Sequence, residues 1–279
     1  GDPGAVQRDP ALFQRYTLGH GVECATDALR WAREQFGDAV RLHLRGHSEG
    51  ALVALYTYDA LLDQDPGTGD RVATVVLSGV ALEPFANILE RQLATVPGGD
   101  RLREALAECD EPVLAEHLGV SCAYVADAVQ RPSGRAMFER LAEHPAAVPF
   151  HIFNGTEDWN TPVQPVRDLE AWNTAQGQLD ITFHYYEGGH QGSDEARAEL
   201  EELLAASVSR GGAVVRAVGG AGMAIAVGSR VGCARGFAPP LPPTPEASHM
   251  SRQFIATHRP TRRSFHRLLV AFALCTGLF

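Results

Sequence analysis

The junction GHSEG at residues 46–50 constrains this chain more than any other feature, because of what stands on either side of it. Upstream, in AVRLHLRG, Val40, Leu42 and Leu44 alternate with Arg41, His43 and Arg45, the period-two pattern of a strand. Downstream, GALVALYTYDALLDQ predicts a mostly apolar helix that ends before the turn cluster DPGTGD. A strand that becomes a helix within five residues needs a tight bend, and Gly46 and Gly50 remove the side chains that would collide there. The five letters alone arise by chance in roughly one such glycine-rich chain in ten. The flanking strand and helix therefore carry the inference.

The same alternation runs on along the chain. VECATDALRWAREQFG sets Ala25, Ala28, Leu29, Ala32 and Phe36 at helical spacing and stops at Gly37. RVATVVLSGV has the β-branched composition of a buried parallel strand. VPFHIFNGTED and LDITFHYYEGGH predict two further strands, separated by a helix near PVRDLEAWNTAQG. In SDEARAELEELLAASV, Leu200, Leu203, Leu204 and Val208 form a stripe, while Asp194 and Glu195 suit the positive end of a helix. Residues 83–144 read as a helical insertion, with Phe85, Ile88, Leu89 and Leu93 on its first apolar face. Strands alternating with helices predict an α/β fold, its sheet mostly parallel and flanked by helices.

Charge marks a boundary. From Gly211 onward the chain holds 8 Arg and 1 Glu, which leaves residues 1–210 with 16 basic and 33 acidic residues. GGAVVRAVGGAGMAIAVGSRVGCARG is rich in Gly, Ala and Val without a clear strand or helix period, and APPLPPTPEAS is linker-like. Residues 211–279 are thus expected to be a low-complexity tail with no packed domain, of the kind a read-through or frame-shifted gene end would produce. A membrane-associated tail is the rival reading, with Arg262, Arg263 and Arg267 before the apolar run LLVAFALCTGLF. That run is too short to span a bilayer as a helix.

A serine hydroxyl needs a base within hydrogen-bond reach, and the base needs a carboxylate to orient it. Past the third predicted strand, FNGTEDWNTPV supplies Asp158, with Glu157 as a rival acid; past the fourth, YYEGGHQGS supplies His190. With Ser48 the chain order is Ser, Asp, His.

At GHSEG, NGTEDWNTPV and YYEGGHQG the sequence resembles the α/β-hydrolase superfamily, most closely its serine esterase and serine-aminopeptidase-like branch, over about residues 20–208. The resemblance implies a partial α/β-hydrolase fold with a cap inserted at about 83–144. It implies Ser48 as the acylated nucleophile, His190 as general base and then acid, and Asp158 as the residue orienting His190. It also implies that the backbone N–H of Glu49 serves the oxyanion hole, and it allows Trp159 to line the pocket. The implied activity is hydrolysis of a small-molecule carboxylic ester, with peptide or amide hydrolysis, or an inactive hydrolase-fold fragment, as alternatives. No residue suggests a cofactor or a metal site.

Two departures from that pattern stand out. The predicted strand before Ser48 carries Arg41, His43 and Arg45 on one face, where a central parallel strand is normally apolar. The family's second oxyanion donor comes from a loop after an early strand, and residues 1–47 show no such strand pair. The expectation is a core lacking its first strands, with the edge beside the Ser48 strand unpaired.

The formal charge of −10 argues against a nucleic-acid partner. Cys24, Cys109, Cys122, Cys233 and Cys275 form no metal pattern and do not fix a compartment. No signal peptide is visible, so a cytoplasmic location is the default, with secretion if a leader precedes Gly1. His43, His47, His151 and His184 are given no role.

Overall fold

The computed structural model describes residues 10–38, 40–144, 148–209, 212–218 and 222–227. Helices α1 (Pro10–Arg15) and α2 (Leu18–Phe36) lead into strand β1 (Arg41–His47), helix α3 (Glu49–Gln64), the short α4 (Pro66–Gly69) and strand β2 (Val72–Ser78). Five helices follow: α5 (Phe85–Thr95), α6 (Gly99–Glu108), α7 (Glu111–His117), α8 (Cys122–Gln130) and α9 (Gly134–Leu141). The chain then continues through β3 (Phe150–Gly155), α10 (Val163–Gln176), β4 (Ile181–Tyr186) and α11 (Asp194–Ser209). It closes, among the described residues, with β5 (Gly212–Val218) and β6 (Gly222–Val227).

The strands make one sheet in the order β4-β3-β2-β1-β5-β6. β1 to β4 pair in parallel, so their C-terminal ends share one edge. This parallel sheet with flanking helices and a helical insertion after β2 agrees with the partial α/β-hydrolase architecture that the motifs imply.

Its two faces are filled differently. Leu42, Leu44, Val75, Leu77, Phe150 and Ile152 join the main core with Leu29 of α2 and Leu55 of α3. On the opposite face Val76 and Phe153 pack against Leu200 and Leu204 of α11. α11 also resolves the charge on β1: Arg45 pairs with Glu201 at 2.9 Å, and His43 is buried. A strand polar on one face is tolerated here because a helix with an acidic flank lies over that face.

The insertion has a small core of its own, in which Leu93, Leu102, Leu114 and Leu118 meet. A disulfide between Cys109 and Cys122 ties the end of α6 to the start of α8 and brackets α7. The wide spacing of the cysteines gave no hint of that pairing. Cys24 is a free, exposed thiol, and Cys233 and Cys275 lie outside the described residues.

Two expectations about the end of the chain are corrected. GGAVVRAV and GMAIAV contain strands, despite their glycines and weak period. The edge of β1 is not left open, because β5 pairs with it in parallel from Arg41↔Gly212 to Gly46↔Ala217, and β6 closes antiparallel on β5. Ladder pairing uses backbone groups, so a segment of poor side-chain pattern can supply it. The linker-like stretch, Arg262, Arg263, Arg267 and the terminal apolar run lie outside the described residues. Among the described residues no helix is long and apolar enough to cross a membrane.

Candidate active site

Ser48 sits between the end of β1 and the start of α3 with φ 55° and ψ −123°, a conformation rare for a residue with a side chain. The turn is held by the Ser48 N–H, which donates to the Ser78 carbonyl at the end of β2 at 2.9 Å. A Cβ on Gly46 would run into the Gly50 carbonyl, so the first glycine of GHSEG is sterically required. Glu49 is the first residue of α3, directly after Ser48.

The loop after β3 presents Asp158, 4% exposed, and the loop after β4 presents His190, 3% exposed. His190 Nδ1–H donates to Asp158 Oδ2 at 2.7 Å, which fixes the tautomer that leaves Nε2 as the basic atom. Nε2 is itself buried with no hydrogen-bond partner among the described residues. Asp158 Oδ1 accepts the backbone N–H groups of Asn160 and Thr161, both at 2.9 Å. Burial alone would raise the Asp158 carboxyl, but the hydrogen bonds and charge of His190 and the hydrogen bonds of Thr161 outweigh it and hold it below the ordinary value of 3.8.

Ser48, His190 and Thr161 line one cavity of about 120 Å³. Its walls are mainly apolar, from Leu52, Phe85, Ile88, Leu118 and Trp159 among others. Trp159 therefore stands where the resemblance allowed it. Glu157 is exposed and makes no ion pair among the described residues, whereas Asp158 is the carboxylate that meets His190.

Four features escaped the sequence reading. Gly79, at φ 55° after β2, leaves room for the imidazole: a Cβ there would lie 2.8 Å from His190 Cε1. His47 hydrogen-bonds Ser78 Oγ at 2.6 Å, and its ring centre is 4.9 Å from that of His190. The Glu49 carboxylate accepts the hydroxyls of Tyr16 at 3.1 Å and Tyr124 at 2.8 Å, joining the turn to the insertion. Thr161 Oγ1–H donates to Asp158 Oδ2 at 2.5 Å. Of these only Thr161 and Gly79 left a trace in the sequence, as a hydroxyl just before Pro162 and a glycine just past a strand. The others depend on which elements the fold brings together. His151 and His184 contact each other at 3.1 Å under α11, away from this cavity.

No protein-family model and no curated protein matches the sequence. Solved structures do resemble it in chain course. A monoacylglycerol lipase of Paleococcus ferrophilus is 19% identical with a TM-score of 0.39, the match covering 66% of this chain and 75% of that one. An alpha/beta hydrolase enzyme from the sediment metagenome of the Mar Chica lagoon, Morocco, is 18% identical at a TM-score of 0.38, over 68% and 70%. A puromycin-hydrolyzing peptidase of Mycobacterium tuberculosis is 16% identical at 0.45, over 69% of this chain and 26% of that one.

Proposed function

We propose that this chain is a serine hydrolase of the α/β-hydrolase kind that cleaves a small carboxylic ester through an acyl-enzyme on Ser48. The observation that carries the reading is the buried Asp158–His190 pair, at 2.7 Å, opening on the same cavity as a serine held at positive φ. His190 Nε2 takes the Ser48 proton as Oγ attacks the ester carbonyl, and the Glu49 N–H donates to the developing oxyanion. His190 then returns the proton to the departing alkoxide, and water repeats the sequence to release the acid. The apolar walls suit an acyl group without charge.

Peptide or amide hydrolysis is the second reading, and Glu49 supports it. Among the lining residues it alone carries a carboxylate, a group that could receive the α-ammonium of an aminoacyl substrate. An inactive hydrolase-fold fragment is the third. Labelling residues 1–279 with a fluorophosphonate, with Ser48→Ala as control, separates the fragment from the enzymes. Relative rates on matched nitrophenyl esters and aminoacyl anilides then separate ester from amide chemistry, with faster ester cleavage expected.

A further inference from the structure

Among the described residues two that are not glycine hold a positive φ, Ser48 at 55° and Cys109 at 57°. The first is the candidate nucleophile. The second caps α6 in the left-handed region, where glycine fits without penalty. What a cysteine offers there and glycine cannot is the bridge to Cys122, the first residue of α8.

That bridge spans the two apolar clusters between which the candidate cavity lies. Leu52, Ile88 and Tyr124 line the cavity from the main core. Leu118 lines it from the insertion's own core, and Val120 packs against both clusters. Leu118 and Val120 belong to residues 110–121, the segment that the bridge closes. At the far end of that segment Cys122 opens α8, whose Tyr124 and Ala128 are part of the main core. The insertion's core has only five buried residues, and so small a cluster needs a staple to keep one shape.

We infer that the Cys109–Cys122 bridge sets the length of acyl group that the candidate site accepts, by fixing Leu118 and Val120 as one wall of the cavity. The cavity, at about 120 Å³, is smaller than the roughly 150 Å³ that holds benzene in a dry protein interior. With the bridge closed it takes a short acyl group and refuses a longer one, which would have to displace that wall. Cys109 is exposed, so a dithiol reaches the bridge from solvent. Reduction by dithiothreitol passes two electrons and two protons to the pair, leaving two thiols on the protein and the cyclic disulfide of the reductant. The wall then loses its covalent tie and longer acyl groups enter. Ser48, Asp158 and His190 lie outside the bridged segment, so short esters are cleaved as before.

The inference rests on the hydrolase reading, and the test keeps the two apart. In the full chain, kcat/KM is measured on nitrophenyl acetate, butanoate and octanoate for the oxidised protein, for the protein reduced and then freed of dithiothreitol, and for Cys109→Ser/Cys122→Ser. Oxidised protein should lose about tenfold or more between butanoate and octanoate. In the reduced protein and the double variant that loss should shrink by about threefold or more, with acetate turnover within about twofold of the oxidised protein. Leu118→Ala, with the bridge intact, should shrink the loss as well, and Leu118→Phe should deepen it. A chain-length profile indifferent to reduction overturns the inference, as does an equal loss on all three esters. Mass and thiol count that show no bridge in the oxidised chain overturn it too. Should the double variant fail to fold, the reduced wild type decides, and unfolding of that protein on reduction, read by circular dichroism, also overturns it. A wild-type chain that neither takes the fluorophosphonate nor turns over ester sinks the hydrolase reading. Calorimetric affinities for butanoate and octanoate then still decide the role of the bridge: reduction should tighten octanoate by about threefold or more and leave butanoate unchanged.

Discussion

The two sides of β1 solve different problems. On one side, β2, β3 and β4 each end in a residue that the candidate site needs: Gly79 past β2, Asp158 past β3 and His190 past β4. On the other side, β5 and β6 complete the ladder by backbone register alone. A catalytic constellation demands particular atoms at particular loop positions, whereas a covered edge demands only N–H and C=O groups in register. The first demand leaves letters in a sequence. The second leaves almost none.

The largest expected effect lies on the chemical side. Ser48→Ala removes the attacking oxygen and should lower kcat on a nitrophenyl ester by at least about 10³-fold, since triad members act as a unit. Fluorophosphonate labelling should vanish with it. Retained turnover in the variant would place the chemistry elsewhere and dissolve the comparison.

Next, Asp158→Asn should reduce kcat by about 10³–10⁴-fold, because the amide favours the wrong tautomer of His190. Glu157→Gln, on an exposed side chain, should stay within a few-fold of wild type. The same substitution has a signature in stability. Asp158 in the folded chain sits below its ordinary value of 3.8, so its contribution is complete at pH well above that value and is lost as pH falls through the lower folded value. The gap in urea midpoint between wild type and Asp158→Asn should therefore narrow as the pH drops below about 4. A gap that widens on acidification would reverse the assignment.

Much of the chemical side was legible beforehand. GHSEG announced a serine between a strand and a helix, and the acid and histidine loops stood in the expected order past predicted strands. The insertion after β2 was visible as a helical stretch, but the Cys109–Cys122 bridge was not, because thirteen residues of spacing say nothing about which helix ends meet. Glu49 was read for its backbone alone. Its side-chain partners come from 33 and 75 residues away in the chain, and no local pattern encodes that meeting. The β5 and β6 segments failed as strands on paper because glycine interrupts their alternation and lowers strand propensity.

The covered edge can be broken without touching chemistry. Val215 lies in mid-β5, opposite Leu44 on one side and Ile225 on the other. Proline there removes a ladder N–H, which an internal strand does not tolerate. Val215→Pro should lower the urea midpoint and the solubility of the full chain, while Val215→Thr, which keeps the N–H and suits a strand, should do much less. If the segment after residue 210 were an unattached tail, both variants would match wild type.

The smallest expected effect tests how the candidate site is fastened to the helical insertion. Tyr124 of α8 donates to Glu49 Oε2 at 2.8 Å, and Tyr16, stacked on it with centroids 6.2 Å apart, donates to Oε1. Glu49, proposed above as the oxyanion donor, is thus held through its side chain by Tyr124 of α8 and by Tyr16 of the link between α1 and α2. Burial, then the charge of Glu49, pushes the Tyr124 phenol well above its ordinary value, so it stays a donor across the working pH range. Tyr124→Phe removes that donor and leaves the ring packing in place. Because Tyr16 still holds one carboxylate oxygen, kcat should fall by about tenfold or less, below the 10²–10³ typical of deleting an oxyanion donor outright. The loss should be the same at every pH. Steady-state pH profiles of wild type and Tyr124→Phe check this expectation. A pH-dependent loss in Tyr124→Phe, or one above about 10³-fold, would show that the tyrosine does more than hold Glu49.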